Sequence, residues 1–361
     1  MEGNKKILID ILTPKQALFF NALSKKLVEM GFHVDLTTRK YSEVEGMLNL
    51  LRLKAEVIGR HGGADLFEKL SAYSERVLLL AKVVKKTRPD LILSFGSPEA
   101  ARVAFGLNIP HVMVNDSPHA YAVGKLTVPL STRIFTPWII PKRDWVALGA
   151  AQESIEHYHG LDPVIWLRNF RPNKRVLSDL NLDEKKLIIS YRPEEFKAAY
   201  LANEKPVTTA LVHDAISGAR TKANIDFQLV IIARYGAVQS YYDSFKREAI
   251  YVNKCIDTRS LIYFSSIFVG GGGTMLAESA LLGTPTISVY PGMTKVESYL
   301  IEKGKVHKNL NAGSLEKTII SFLELGQLER EKMRVSSRKT LEKMESPDHK
   351  ILPFIDRLLS R

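Results

Sequence analysis

Short apolar runs alternate with longer stretches whose apolar residues recur at helical spacing, and this rhythm continues through most of the chain. Residues 6–10, Lys-Ile-Leu-Ile-Asp, predict a buried strand. Ala17, Leu18, Ala22, Leu23 and Leu27 then predict a helix over 14–30, with Pro14 suited to its first turn and Gly31 to its end. Strands are expected at 32–37 and 55–58, followed by a long helix running through Tyr73 to Lys86. Two further strands, 89–96 and 110–115, flank a short helix around 100–105. Strands separated by helices mean a parallel sheet covered on both faces.

The rhythm breaks near 160–184, where Pro163 and Pro172 stand among Asn and Arg residues, and then restarts. Strands are expected at 186–190, 227–233, 249–252, 267–269 and 286–290. The last forty or so residues are charged and helical in pattern, with Pro347 and Pro353 as expected interruptions. The fold class is therefore α/β. Two Rossmann-like domains are expected, at 1–165 and 166–340, with a terminal helix over 341–361 packing back on the first. In such folds ligands bind outside the carboxyl ends of the strands, here in an interdomain cleft.

Composition narrows the class without naming a function. A chain of 361 residues with 45% hydrophobic and 25% charged content suits two soluble domains, each with its own core. No apolar run is long enough to cross a bilayer, and the start does not read as a signal peptide. Cys255 is the single cysteine, so neither a disulfide framework nor a cysteine zinc cluster is available. These features lead us to expect a cytoplasmic protein. A net charge of +12 favours anionic partners. The basic residues are dispersed and no nucleic-acid module is present, so nucleic acid is not the expected partner. The apolar and basic helix around 77–86 leaves peripheral contact with an anionic inner membrane face open, although a core helix with a solvated face explains it as well.

Candidate chemistry concentrates in one stretch. Ile267-Phe-Val269 leads into Gly270, Gly271, Gly272 and Gly273, and Thr274 then opens a helix that ends before Gly283-Thr-Pro285. Glycines let backbone N–H groups approach a ligand, and a helix N-terminus favours phosphate. Glu278 falls one turn into the helix, placed to accept hydrogen bonds from ribose hydroxyls. A P-loop is excluded because no Lys follows the glycines, and a dinucleotide fingerprint because Met275 or Leu276 replaces its third glycine. A turn that merely lets strand and helix pack closely is the alternative reading.

The glycine loop and helix resemble the donor-nucleotide element of GT-B glycosyltransferases and of the non-hydrolysing UDP-N-acetylglucosamine 2-epimerases. Four segments carry a closer likeness: residues 10–16, residues 38–41, residues 115–120 with 125–129, and the loop itself. By these the chain resembles a family of uncharacterised proteins, domain of unknown function 354. The resemblance implies a GT-B fold and a nucleotide-diphosphate sugar as substrate, a UDP-sugar first, with no further cofactor. It also implies an acceptor, either a glycan or lipid-linked. Gly271, Gly272, Gly273 and Thr274 would hold the diphosphate and Glu278 the ribose. Arg192, after the first strand of the second domain, would add a cation there, or form an ion pair with Glu194 or Glu195. Asp257 and Arg259 would lie near base and ribose, or Asp257 would cap the following helix.

On the first domain, Asp116 and His119 follow a strand end, where either could deprotonate an acceptor hydroxyl. Equally, Asp116 could cap a turn with Ser117 and Pro118, and His119 could hydrogen-bond a backbone group. The epimerases show His-x-Glu-Ala-Gly at this place, and its absence argues against plain epimerase chemistry. Thr13 and Lys15 at the first helix start form either a second phosphate cradle or a simple N-cap, and Arg39 sits at the matching sheet end. These three are acceptor-side candidates. No metal site is expected, since the chain has no Asp-x-Asp pair.

Overall fold

The computed structural model describes residues 4–194, 208–223, 225–232, 245 and 248–360. It divides into two compact units, residues 1–166 with 344–361, and residues 167–343. Each is a parallel sheet flanked by helices, and the fold is of GT-B type with two Rossmann-like domains.

The strands of the first unit are β1 (Lys6–Ile11), β2 (His33–Lys40), β3 (Glu56–Arg60), β4 (Leu91–Ser94), β5 (His111–Val114), β6 (Arg133–Pro137) and β7 (Ile155–Tyr158). Their spatial order is β3-β2-β1-β4-β5-β6-β7, and every pairing is parallel. The chain steps outward from β1 through β2 to β3 and then returns to β4 on the other side. This reversal makes the gap between the ends of β1 and β4 a topological switch point. Ile7, Leu8, Ile9, Leu91, Ile92 and Leu93 are wholly buried, as strands covered on both faces must be.

A buried ionic knot ties this sheet together. Asp10 on β1 takes both terminal nitrogens of Arg76, at 2.5 and 3.0 Å, and accepts from Thr37 and Ser97. Arg76 also donates to the Ile58 carbonyl at 2.9 Å. Burial works against the Asp10 charge, but Arg76 and the hydroxyl donors outweigh it and hold the carboxyl below its ordinary range.

The C-terminal segment belongs to the first unit, where Phe354 packs edge-on against Phe135 of β6. Glu345 clasps His159 through two hydrogen bonds, one from each backbone N–H. A Cβ on Gly160 would lie 1.9 Å from the Glu345 carbonyl oxygen, so only glycine allows this approach.

The second unit comprises β8 (Leu187–Arg192), β9 (Phe227–Ile232), β10 (Ala249–Val252), β11 (Ile267–Gly270), β12 (Thr286–Ser288) and β13 (His307–Lys308). They lie in the order β10-β9-β8-β11-β12-β13, again all parallel. Its switch point falls between β8 and β11. The core under this sheet includes Ile189, Tyr191, Val212, Ile216, Leu229, Ile231, Val269 and Ile319.

Several elements differ from expectation. β6, β7 and β13 are strands that the apolar pattern does not announce, and Ser42–Leu51 is an additional helix. Pro353 does not interrupt the terminal segment. It lies inside the helix Asp348–Leu359, where buried Ile351, Ile355 and Leu359 hold one face against the unit. The last residue of the strand expected at 227–233 lies outside the described residues, as does Glu195.

Candidate functional site

The glycine run occupies the carboxyl end of β11, at the switch point of the second sheet, with Gly270 paired in register to Arg192 at the end of β8. The four glycines serve different ends. Gly270 and Gly271 are required by packing: a Cβ on Gly270 would lie 2.8 Å from the Phe268 ring, and one on Gly271 would lie 2.4 Å from the backbone nitrogen of Glu194. Gly271 also donates its N–H to the Arg192 carbonyl. Gly272 and Gly273 have φ of +91° and +85°, the left-handed side that other residues avoid. Gly273 is exposed and faces open space, with nothing within 4 Å of where a Cβ would stand.

Gly273 is the N-cap of the helix Thr274–Leu282 and brings no side chain to bond that helix's leading N–H groups. Among the described residues, Thr13, Asp65, Ser97, Thr294 and Asn311 cap their helices by accepting from the backbone of the first turn. The amides of Thr274 and Met275 have no carbonyl within their own helix to receive them. An uncapped helix start behind an open glycine turn is an anion-binding geometry.

The groups around this turn are as follows. Arg192 donates from Nη1 to the Ile232 carbonyl at 3.0 Å. Glu194 accepts from the Thr208 N–H. Glu278 is 2% exposed, on the buried side of its helix. Asp257 stands at the N-cap position of the helix Thr258–Phe264, but its carboxylate takes the Arg259 guanidinium at 2.9 Å and the Ser260 hydroxyl at 2.6 Å rather than the helix backbone. The Tyr290 ring flanks Gly272, at 3.0 Å from the position of an added Cβ.

In the first unit, the carboxyl ends of β1, β4, β5 and β7 converge on Lys15. Its Nζ is 2.5 Å from Asp116 Oδ2 and 2.6 Å from Asp162 Oδ2, and stands 4.4 Å from the centre of the Phe95 ring. The Tyr158 hydroxyl donates to Asp162, and Ser117 donates to Asp116 at 2.8 Å. The side chains of Lys15 and Asp116 are each 17% exposed and that of Asp162 is 1%. The two carboxylates are driven apart. Burial raises Asp162, the neighbouring charge of Asp116 adds to this, and Lys15 only partly opposes it, leaving its pKa at about 7. Burial also works against Asp116, but Lys15 and the hydrogen bonds prevail and its pKa is lowered. Lys15 itself is raised, because the two carboxylates overcome its burial. Two acids of one type held at different protonation states provide an acid and a base at one point.

His119 lies at the rim and is exposed. Desolvation lowers its pKa, the Asp116 charge opposes this, and Lys15 adds to the lowering. Thr13 accepts from the Gln16 N–H at 3.4 Å, which is N-capping. Lys15 is paired with two carboxylates, so of the two readings of this helix start the described contacts are those of an N-cap. Arg39 is half-buried, and its Nε has no hydrogen-bond partner among the described residues. Desolvation pulls Arg39 downward, and Glu99 pulls it back. Asp162 and Tyr158 are absent from the sequence-based candidates. Asp162 stands before Pro163 in a stretch read as linker, and Tyr158 ends a strand that went unrecognised. Among the described residues no cluster of three His, Cys, Asp or Glu side chains is placed to hold a metal ion.

A family model described as "Protein of unknown function (DUF354)" matches residues 5–344. "Uncharacterized protein MJ0665" of Methanocaldococcus jannaschii is 30% identical over 313 residues, covering 85% of this chain and 88% of that one. The structure of UDP-GlcNAc 2-epimerase from Neisseria meningitidis bound to UDP-GlcNAc superposes with a TM-score of 0.74 at 15% identity, over 99% of this chain and 100% of that one. Spinosyn forosaminyltransferase SpnP gives 0.64 at 13% identity, over 99% and 100%. Likeness at such identities establishes the fold.

Proposed function

The chain belongs to the family described as "Protein of unknown function (DUF354)", and from that premise we propose that it is a sugar-nucleotide-dependent glycosyltransferase. Its donor would be a nucleoside-diphosphate sugar, a UDP-sugar first, and its acceptor a glycan or lipid-linked hydroxyl. One observation carries the reading: an open, uncapped helix start at the second sheet's switch point, with Arg192 on the adjoining strand end. The amides after Gly272 and the Arg192 guanidinium would take the charge of the departing diphosphate. That relatives of this fold have been solved with UDP-GlcNAc supports the choice of donor. Glu278 would orient the loop helix or meet the ribose, and Asp257 would hold Arg259 beside it.

Acid–base work falls to the first unit. Asp116, the more accessible carboxylate and the one held in its ionised form, would accept the acceptor's hydroxyl proton, and Asp162, whose neutral form is favoured, would hold Lys15 beside it. The acceptor oxygen forms a bond to the anomeric carbon as the carbon–oxygen bond to the diphosphate breaks. Arg39 would face a charged acceptor, and His119 would be a rim contact. Lys15 positions both carboxylates and is not assigned to a lipid phosphate.

A second reading, epimerisation of the sugar, is favoured by one feature: two carboxylates of opposed protonation can remove and return a proton without any acceptor. Incubation with a panel of sugar nucleotides in deuterium oxide separates the two. Transfer gives nucleotide release only when an acceptor is added. Epimerisation gives deuterium on the sugar ring and a changed configuration without net release. If no sugar nucleotide reacts and none raises the melting temperature, both readings fail.

A further inference from the structure

Arg39 is an anomaly among the arginines of this molecule. Other half-buried ones, such as Arg133, Arg220, Arg259 and Arg330, each donate to a carbonyl or carboxylate oxygen. The Arg39 guanidinium makes no hydrogen bond or ion pair with any described residue, and its Nε is buried. It stands at the carboxyl end of β2, beside β1 and so at the edge of the switch point between β1 and β4. Thr37 donates to Asp10, and alternation along the strand puts Arg39 on the same sheet face. The register with β3 shifts between Thr38 and Lys40, so the ladder gives Arg39 no direct opposite. Burial weighs against its charge, and Glu99 is the neighbour that most supports it. Glu99, however, is held by Arg76 at 3.6 Å and by the Ser97 hydroxyl at 3.3 Å.

We propose that Arg39 binds a carboxylate on the acceptor, which makes the acceptor a sugar acid rather than a neutral glycan. The acceptor role rests on the reading of Asp116 as the base. A partly buried cation without a partner costs stability, and a bound carboxylate supplies the missing counter-charge. The planar fork of a guanidinium matches the two oxygens of a carboxylate with parallel hydrogen bonds. A single negative charge also suits the corner. Asp10 and Glu99 already stand there against Arg39 and Arg76, so a phosphate dianion would meet more repulsion. In the order β2-β1-β4-β5, three strand spacings, roughly 14 Å, separate β2 from the strand that Asp116 follows. One short glycan can therefore carry both the carboxylate at Arg39 and the hydroxyl at Asp116.

Protein labelled with ¹⁵N at the arginine Nε atoms provides the test, because the Arg39 signal is identified by its absence from Arg39→Lys. Titration with glucuronate should move that signal saturably, with a dissociation constant on the order of millimolar, and glucose should leave it in place. Arg39→Gln, with unchanged circular dichroism, should bind glucuronate at least about tenfold more weakly. A wild-type signal that glucuronate does not move, or that sodium chloride of equal ionic strength moves as far, overturns the proposal. Movement by inorganic phosphate and not by glucuronate also overturns it, and assigns the corner to a phosphorylated acceptor. With a reacting donor in hand, transfer to a glucuronate-bearing acceptor should exceed transfer to its neutral counterpart by at least about tenfold, and Arg39→Gln should lose that preference. A wild type with no preference overturns the acceptor role. The titration contains no sugar nucleotide, so glucuronate binding by a protein that reacts with no donor would sink the transferase reading and leave the carboxylate site standing.

Discussion

Asp162 is the residue on which the chemistry of the first unit turns, and its environment has a measurable consequence. Its folded pKa of about 7 stands against an ordinary 3.8, so ionising it opposes folding. The stabilisation belonging to its neutral form is complete below the unfolded value and is lost as pH rises through about 7. Asp116, held low, contributes in the opposite sense, and its part is lost as pH falls. In a ¹³C-carboxyl titration we expect one aspartate resonance to move near pH 7 and to be missing in Asp162→Asn. A spectrum in which no carboxyl titrates between neutrality and the ordinary carboxylate range would remove the opposed protonation of the two aspartates from the mechanism. The Tyr158 hydroxyl, which burial and the Asp162 charge raise well above its usual range, stays protonated throughout and remains a donor.

At the scale of elements, the glycine turn can be separated into a packing half and an open half. Gly271→Ala drives a Cβ into the Glu194 backbone, so its principal effect should be lost stability. Gly273→Ala meets no atom, but it forces a side chain into φ +85°, ψ −168°, at a cost of about 1–3 kcal/mol. Denaturant unfolding paired with calorimetric titration of UDP should show Gly273→Ala folded but at least tenfold weaker in binding. Unchanged affinity in that variant would mean that no phosphate lies at the turn.

This element was legible in the sequence because strand, glycines and helix are contiguous, and a local pattern reports a local structure. The Lys15 cluster was only half legible. Lys15 and Asp116 each follow a strong apolar run, whereas Asp162 and Tyr158 follow β7, whose four residues Ile-Glu-His-Tyr have apolar ends and polar centres. Buried pairing with β6 makes that segment a strand, and such pairing is invisible to periodicity. Pro353 misled for a related reason: one lost helical bond is offset by the buried face that Ile351, Ile355 and Leu359 provide. The tertiary contact decided each case where local preference failed.

For the whole molecule, the division into two units, each with its own sheet and core, gives the donor site an address that can be tested without assaying any reaction. A nucleotide at one hundred times its dissociation constant stabilises the state that binds it by about 2.7 kcal/mol. If the site is built from β8, β11 and the Thr274–Leu282 helix, that stabilisation enters through the second unit. Hydrogen exchange with and without saturating UDP should therefore slow most at residues 270–277 and in the strands beside them. The amides of β1 and β4, held by the Asp10–Arg76 knot, should exchange at nearly unchanged rates. The expected asymmetry is strong because the helix amides that would contact phosphate are themselves the reporters. Protection centred on the first unit would place the nucleotide with Lys15 and Asp116 and reverse the assignment of donor and acid–base groups. Uniform protection of both units would mean that the nucleotide stabilises one cooperative body, in which local placement must come from the Gly273→Ala titration rather than from exchange.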